Sequence, residues 1–181
     1  MARCVHCGGE LIEGCCNKCA LPFSKQFCVG LREEALRELV SIYKYKSVRA
    51  AGVALAELVV AVLDADEYVV VPLPTIARHI RERGFDHMLK LAQAMAPCRD
   101  GLRVEQALIR ANKAVQVGAS EERRKEQAKS AYKAREGLDI GANYLLVDDV
   151  WTTGSSMRAA CEVLRARGCQ KINIAVVARN G

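Results

Sequence analysis

Residues 144–178 carry the pattern that most constrains the fold of this chain. Residues 144–147 (Tyr-Leu-Leu-Val) form an apolar run typical of a buried strand, and residues 171–178, rich in Ile and Val, form a second one. Between them, residues 157–167 have helical periodicity and end at Gly168, a residue suited to a helix C-cap. A strand, a loop, a helix and a strand within ~35 residues make a βαβ unit. The sequence therefore predicts an α/β fold, a parallel sheet with helices on both faces.

The residues before this unit fit the same fold class. Apolar residues make up 51% of the 181-residue chain and charged residues 27%, a balance typical of one globular domain with at most a small appendage. Hydrophobic periodicity predicts helices over residues 31–44, 48–63 and 75–96, the last interrupted near Gly84, and strands over residues 68–71 and 107–109.

Six of the nine cysteines lie within the first 28 residues, and four of them form two C-x2-C pairs. Each pair places two sulfurs near one point, and four thiolates around one ion are typical of a structural zinc site. The predicted ligands are Cys4, Cys7, Cys16 and Cys19. The spacing leaves alternatives open, because Cys15 can replace Cys16 and because His6 and Cys28 are further potential ligands. Free thiols that bind no metal are the simpler interpretation.

The cysteine-rich region is too short to fold around a core of its own, so a bound metal would supply its folding free energy. We therefore expect a zinc module over residues 1–28 and an α/β domain over residues 29–181. Apolar runs fall well short of the ~20 residues of a membrane-spanning helix, and the first residues lack the apolar stretch of a signal peptide. These features predict a cytoplasmic protein, in which the isolated Cys98, Cys161 and Cys169 are core thiols.

Acidic and hydroxyl residues follow the strand at 144–147. The predicted loop covers residues 148–156: it begins with Asp148 and Asp149, continues with four hydroxyl side chains around one glycine and opens directly into the next helix. Backbone N–H groups at a helix start attract anions, and hydroxyls donate to phosphate oxygens. The candidate phosphate-binding residues are Thr152, Thr153, Gly154, Ser155 and Ser156. The two carboxylates are expected to accept hydrogen bonds from sugar hydroxyls or to hold a divalent cation. A helix cap beside a solvated acidic pair is the alternative.

Residues 145–156 resemble the phosphoribosyl pyrophosphate (PRPP) signature of type I phosphoribosyltransferases, a hydrophobic strand and two acids followed by a Thr-Gly loop. The cysteine module, residues 71–74 (VPLP) and residues 81–85 (RERGF), in this order and at this size, resemble the ComF family of competence-associated phosphoribosyltransferase-like proteins. The resemblance implies the type I fold and binding of PRPP with Mg²⁺. It assigns the 5′-phosphate to residues 152–156 and the ribose 2′- and 3′-hydroxyls to Asp148 and Asp149, the candidate catalytic residues.

The resemblance also places the family's pyrophosphate loop after the strand at 68–71, close to three arginines. Guanidinium groups pair bidentately with phosphate oxygens, so these arginines are candidates for a pyrophosphate clamp. They are Arg78, Arg81 and Arg83. A solvated helix face is the alternative interpretation of the cluster.

Several positions depart from the ComF pattern. Asp86 and His87 stand where the family usually has Asn and Gln, and Ser156 replaces a threonine. The family's central Gln, Leu, Arg, Asn and aromatic pattern is met by Gln116, Ala119, Arg124, Gln127 and Tyr132. These departures leave the acceptor of the phosphoribosyl group undetermined. His79 and His87 are expected at the surface or at the edge of a pocket. Residues 118–135 are interpreted either as a lid over the site or as a solvated mixed-charge helix.

Two classes of function follow from these features. The first is a ComF-like phosphoribosyltransferase-type protein that binds PRPP and Mg²⁺ and is linked to DNA uptake in natural transformation, with competence-machinery proteins as partners. The alternative is a single-stranded DNA-binding or interaction protein on an inactive phosphoribosyltransferase scaffold. The net charge of +6 is compatible with anionic partners in both cases.

Overall fold

The computed structural model describes residues 3–19, 21–46, 48–111 and 131–180. In chain order the helices are α1 (Glu34–Lys46), α2 (Arg49–Ala61), α3 (Ala77–Arg83), α4 (His87–Met95) and α5 (Ser155–Arg165). The strands are β1 (Gln26–Leu31), β2 (Tyr68–Pro72), β3 (Leu102–Val104), β4 (Leu108–Arg110), β5 (Tyr132–Ala134), β6 (Asn143–Trp151) and β7 (Lys171–Arg179). A short 3₁₀ turn over Ala96–Cys98 follows α4.

Five of these strands form one parallel sheet in the order β1-β7-β6-β2-β3, and β4 pairs with β5 in a separate antiparallel ribbon. From β2 the chain runs outward to β3, whereas from β6 it runs in the opposite direction to β7. The connections after two neighbouring strands therefore diverge at their carboxyl ends, which opens a crevice between β2 and β6. The parallel sheet confirms the predicted α/β class.

Apolar side chains cover both faces of the sheet because successive strand residues point to opposite sides. On one face, Val70 and Leu145 pack with α1, α2 and α4, whose Leu55 and Leu91 are fully buried. On the other face, a second cluster includes residues of α5, of the β4-β5 ribbon and of the cysteine-rich region; its members include Val69, Val71, Leu146, Ile174, Met157, Leu164, Leu108, Tyr132, Val5 and Trp151. The cysteine-rich region is thereby packed onto the sheet.

The structure differs from the sequence-based expectations at β1. This strand pairs with β7, with Cys28 opposite Val176, so the main sheet begins before the boundary expected at residue 29. The helix expected from residue 31 begins at Glu34. β1 is a half-buried edge strand that contains Gln26 and Gly30, and it therefore lacks the continuous apolar run that marks a buried strand.

Two further expectations change. β6 continues to Trp151, so Asp148 and Asp149 lie on the strand and not in the loop after it. Cys161 and Cys169 are buried as expected, but Cys98 is exposed at the end of the 3₁₀ turn.

The expected lid over residues 118–135 lies mainly outside the described residues, which resume at 131. Among the described helices, none combines the length and the apolar character needed to cross a bilayer.

Candidate functional site

A cavity of about 310 Å³ lies at the carboxyl ends of β2 and β6, where the topology opens the crevice. The loop after β2, α1, α3, α4, α5 and the β4-β5 ribbon all contribute to its walls. Its polar lining residues are Lys44, Tyr45, Thr75, His79, Arg83, His87, Arg110, Tyr132, Asp148, Asp149 and Ser156. The cavity thus joins both predicted acids to residues from distant parts of the chain, and we call it the cleft.

Asp149 is held by two groups that the sequence did not point to. Its Oδ2 lies 2.5 Å from Lys44 Nζ, at the end of α1, and 2.9 Å from His87 Nε2, in the first turn of α4. Arg83 donates from Nη1 to His87 Nδ1 over 2.9 Å. His87 is only 6% exposed and lines the cleft, so of the two expected positions the pocket is right and the surface is wrong. The carboxylate of Asp149 is therefore fixed from two sides before any ligand binds.

Asp148 has a different environment. Within the described residues, its side chain has one hydrogen bond, accepted by Oδ1 from the backbone N–H of Asp149 over 2.9 Å. Burial, followed by the neighbouring charge of Asp149, raises the pKa of Asp148 to about 7. Burial alone would also raise the pKa of Asp149, but the hydrogen bond from His87 and the charge of Lys44 lower it to about 2. Asp149 is the permanent carboxylate of the pair, whereas Asp148 titrates near neutral pH.

Residues 152–156, which we call the anion loop, connect β6 to α5. The side chains of Thr152, Thr153, Ser155 and Ser156 are exposed, and Ser156 also lines the cleft. Thr153 Oγ1 and Ser155 Oγ lie 2.6 Å apart. Gly154 precedes α5 with φ +74°, the left-handed region that favours glycine. The loop therefore presents its hydroxyls to solvent beside the start of an 11-residue helix.

The structure separates the three predicted clamp arginines. Arg83 is half-buried and lines the cleft, where it bonds to His87. Arg78 and Arg81 are exposed on α3 and are not among the cleft-lining residues. Arg78 Nε instead pairs with Glu82 Oε1 at 2.6 Å. Arg78 and Arg81, three residues apart, share one face of α3, whereas Arg83, two residues after Arg81, lies on another face. The three side chains therefore cannot line one wall of the cleft.

The four cysteines predicted as ligands lie together. The Sγ atoms of Cys4, Cys7, Cys16 and Cys19 are all within 4.8 Å of one another, and Cys7 and Cys16 are 3.6 Å apart. A tetrahedral zinc site with Zn–S bonds of about 2.3 Å places its sulfurs about 3.8 Å apart, so this four-thiol cluster fits the ion. The competing thiols lie elsewhere, since Cys15 Sγ donates to the carbonyl of Ser24 and Cys28 Sγ to that of Gly30.

Several cleft residues were given no binding role by sequence reasoning, and four of them are Lys44, His87, Arg110 and Tyr132. Lys44 and His87 belong to helices predicted from apolar periodicity, which carries no information about the polar residue that faces a distant strand. Arg110 and Tyr132 come from the β4-β5 ribbon, where the Arg110 guanidinium lies 5.5 Å from the centre of the Tyr132 ring. One signal was available, because His87 occupies a position where the ComF pattern has a different residue.

Comparison with known proteins identifies the family. Residues 47–181 match the Phosphoribosyl transferase domain. The chain belongs to this family. The matched region contains the anion loop and every cleft residue except Lys44 and Tyr45 of α1, and the four-thiol cluster precedes it. Across the whole chain, Competence protein F of Haemophilus influenzae is 28% identical, with 97% of this chain and 84% of that protein covered, which confirms the resemblance to the ComF family.

Solved structures share the fold of the phosphoribosyl transferase domain. A glutamine PRPP amidotransferase from B. subtilis, complexed with ADP and GMP, has a TM-score of 0.50 and 19% identity, and the match covers 75% of this chain and 30% of that one. An allosteric regulatory enzyme of purine biosynthesis has a TM-score of 0.51, 19% identity and coverages of 75% and 29%. This chain thus spans about three tenths of either enzyme, and the likeness concerns the fold alone.

Proposed function

We propose that the protein binds PRPP with Mg²⁺ in the cleft and uses it as a phosphoribosyl donor. The observation that carries the proposal is the position of Asp148 and Asp149, side by side on β6, between the anion loop and the cleft wall that contains Arg83. A ribose phosphate needs an anion site and a hydroxyl acceptor a few ångströms apart, and this edge of the sheet offers both.

Each part of PRPP then has a partner of suitable chemistry. The backbone N–H groups and hydroxyls of the anion loop hold the 5′-phosphate, and Asp148 accepts hydrogen bonds from the ribose hydroxyls. Arg83 and Lys44 supply positive charge for the pyrophosphate, where bidentate pairing with a guanidinium is favourable. Arg78 and Arg81 lie outside the cleft and are assigned no role in this step.

Phosphoribosyl transfer breaks the bond between C1′ and pyrophosphate and forms a bond from C1′ to the acceptor nucleophile. The residues of the cleft contribute by orientation and by neutralising the leaving group, without forming a covalent bond themselves. Mg²⁺, when bound, adds positive charge at the pyrophosphate, and the carboxyl of Asp148 is the oxygen ligand that the cleft offers it.

Calorimetric titration with PRPP, with and without Mg²⁺, tests the proposal. At pH 8, where Asp148 is ionised, wild-type protein is expected to bind, and Asp148→Asn to bind at least about tenfold more weakly, because the amide lacks the negative charge. Asp100→Asn is a matched control, since Asp100 is exposed and precedes β3 at the opposite edge of the sheet. Equal PRPP affinity in all three proteins would overturn the proposed site.

We also propose one structural zinc ion in the four-thiol cluster, supported by the mutual distances of the four sulfurs. The four thiolates fill a tetrahedral site and leave no position for a reacting group, so the ion would brace the module rather than act in the reaction.

A second function, binding of single-stranded DNA during uptake, is favoured by the exposed face of α3 and by the named relative. Arg78 and Arg81 are exposed, and Tyr45, 71% exposed, stacks near Arg83 at the rim of the cleft. Phosphates pair with such arginines and bases stack on exposed aromatic rings.

Oligonucleotide titrations at several salt concentrations test this second function. The double substitution Arg78→Gln with Arg81→Gln is expected to weaken DNA binding and to leave PRPP binding unchanged. Oligonucleotide affinity unaltered by these two changes would exclude this surface.

A further inference from the structure

Trp151 contacts both the anion loop and the cysteine-rich region, two parts of the molecule that are far apart in the sequence. It is the last residue of β6 and is only 3% exposed. Its backbone carbonyl accepts a hydrogen bond from Asn180 N–H, which ties it to the end of β7. Its indole contacts Gly154 of the anion loop and pairs with two aromatic rings of the cysteine-rich region.

Gly154, in the anion loop, lies directly against the indole. A Cβ added to Gly154 would lie 2.2 Å from Cζ2 and 2.4 Å from Cη2 of Trp151, much closer than carbon atoms approach. The backbone of the anion loop is therefore in close contact with the ring over which it turns. Movement of this ring would displace Gly154 and, with it, the hydroxyls on either side.

Two rings of the cysteine-rich region form T-shaped pairs with the indole. The His6 ring centre lies 6.4 Å from that of Trp151 with an interplanar angle of 70°, and the Phe23 ring lies at 6.2 Å and 81°. Such T-shaped pairs are attractive beyond their buried area. His6 stands between Cys4 and Cys7, two members of the four-thiol cluster, so the cluster that gathers these thiols also sets the position of His6.

The module has its own attachment to the sheet. Val5, between Cys4 and His6, is 1% exposed, and its N–H donates to Gln26 Oε1 on β1 over 3.0 Å. A Cβ on Gly8 would meet the guanidinium of Arg179, on β7, at 3.0 Å. Val5 and Gly8 therefore both lie against the sheet, one on each side of His6 in the sequence.

We propose that Trp151 is a positioning residue through which the four-thiol cluster controls the anion loop. Metal binding to the cluster fixes His6 against the indole, and the indole holds Gly154 in the conformation that binds a phosphate monoester. Loss of the metal would release His6, allow the indole to shift and weaken phosphate binding at a site outside the module. This inference rests on the proposed function of the anion loop as a phosphate site.

The chain's own fluorescence reports this coupling, because Trp151 is its single tryptophan. Ribose 5-phosphate is the probe, since it engages the anion loop without a pyrophosphate. Titration of zinc-loaded wild-type protein is expected to change the Trp151 emission. Removing the metal with a chelator is expected to shift the emission by itself and to weaken ribose 5-phosphate binding at least about tenfold.

Substitution of His6 separates the coupling from the metal. His6→Ala keeps all four thiols and is expected to retain one zinc per chain, yet to bind ribose 5-phosphate about 3- to 10-fold more weakly, the range that loss of one edge-to-face contact implies. His6→Phe restores a ring edge and is expected to recover the wild-type affinity. Zinc content and circular dichroism establish that both variants are folded and loaded.

The outcomes distinguish this inference from the proposed function. Equal ribose 5-phosphate affinity in zinc-loaded wild type and zinc-loaded His6→Ala overturns the coupling and leaves the phosphate site intact, as does full affinity in chelator-treated wild type. Absence of ribose 5-phosphate binding in zinc-loaded wild-type protein overturns the phosphate site and the coupling together. Weaker binding in His6→Ala with recovery in His6→Phe supports the coupling.

Discussion

His87 Nε2 and Asp149 Oδ2 are 2.9 Å apart, and this contact defines the tautomer of the buried imidazole. The guanidinium of Arg83 only donates hydrogen bonds, so His87 Nδ1, 2.9 Å from it, is an acceptor. The ring proton is therefore on Nε2 and points to Asp149. His87 thus bridges two charged groups, donating to Asp149 and accepting from Arg83, and its role in this arrangement is to orient both.

Substitution of His87 tests this bridging role. His87→Gln preserves one acceptor and one donor and is expected to keep PRPP affinity within about threefold of wild type. His87→Ala removes both hydrogen bonds and is expected to lose about tenfold or more, since hydrogen bonds to charged groups are among the stronger ones. Calorimetry with PRPP and Mg²⁺ measures both. A Gln variant as impaired as the Ala variant would show that the imidazole itself is required.

The sequence predicted those features of the fold and the site that depend on residues close together in the chain. β6, α5 and β7 were predicted because each carries its own apolar pattern, and Asp148, Asp149 and Ser156 were predicted because they are local to that unit. β3 and β5, with three residues each, are too short to show a period. The contact of Lys44 with Asp149 joins residues 105 positions apart, and the direction of Arg83, toward the cleft, depends on where α3 packs. These features arise only from tertiary structure.

Asp148 makes stability depend on pH. Its pKa of about 7 lies above the ordinary aspartate value, so between about pH 4 and pH 7 the folded chain keeps a proton that the unfolded chain releases. Folding stability contributed by this group is therefore present below pH 4 and lost as the pH rises through 7. Asp148→Asn removes that loss and is expected to exceed wild type by about 1–3 kcal/mol in unfolding free energy at pH 8, with a smaller difference at pH 4.5.

Asp149 is expected to change folding stability with pH in the opposite direction from Asp148. The pKa of Asp149 is lowered to about 2, so its contribution to stability is present above pH 4 and lost as the pH falls through 2. Asp149→Asn is expected to destabilise the protein at pH 8, where Asp148→Asn stabilises it. Urea unfolding of the three proteins at pH 4.5 and pH 8 measures both effects. Two substitutions that shift stability in the same direction at pH 8 would contradict the assigned protonation states.

Gly154 is required both by its backbone conformation and by the indole beneath it. Gly154→Ala places a methyl group 2.2 Å from the Trp151 ring at φ +74°, and is expected to lower the melting temperature and to weaken ribose 5-phosphate binding at least about tenfold. Gly137→Ala is the matched control, because Gly137 has φ +75° but open space around its Cβ position. The control is expected to cost only about 1 kcal/mol of backbone strain and to bind normally. Equal effects of the two substitutions would refute a role for the contact with Trp151.

Two adjacent cysteines, Cys15 and Cys16, provide a matched pair of substitutions that tests the four-thiol cluster. Cys16 belongs to the cluster, whereas Cys15 Sγ is directed to the carbonyl of Ser24. Cys16→Ser is expected to lose the zinc, because a serine hydroxyl does not replace a thiolate ligand, and to expose the first 25 residues to protease. Cys15→Ser is expected to keep one zinc per chain and to resist protease as wild type does.

Metal analysis and limited proteolysis of the purified variants measure these two outcomes independently. Zinc loss with protease resistance retained would mean that the packing of Val5 on the sheet, and of His6 and Phe23 against Trp151, holds the module without its metal. Zinc loss from Cys15→Ser instead of Cys16→Ser would show that the adjacent thiol is the ligand. Because a module of this size has little core of its own, we expect metal loss and protease sensitivity to occur together in Cys16→Ser.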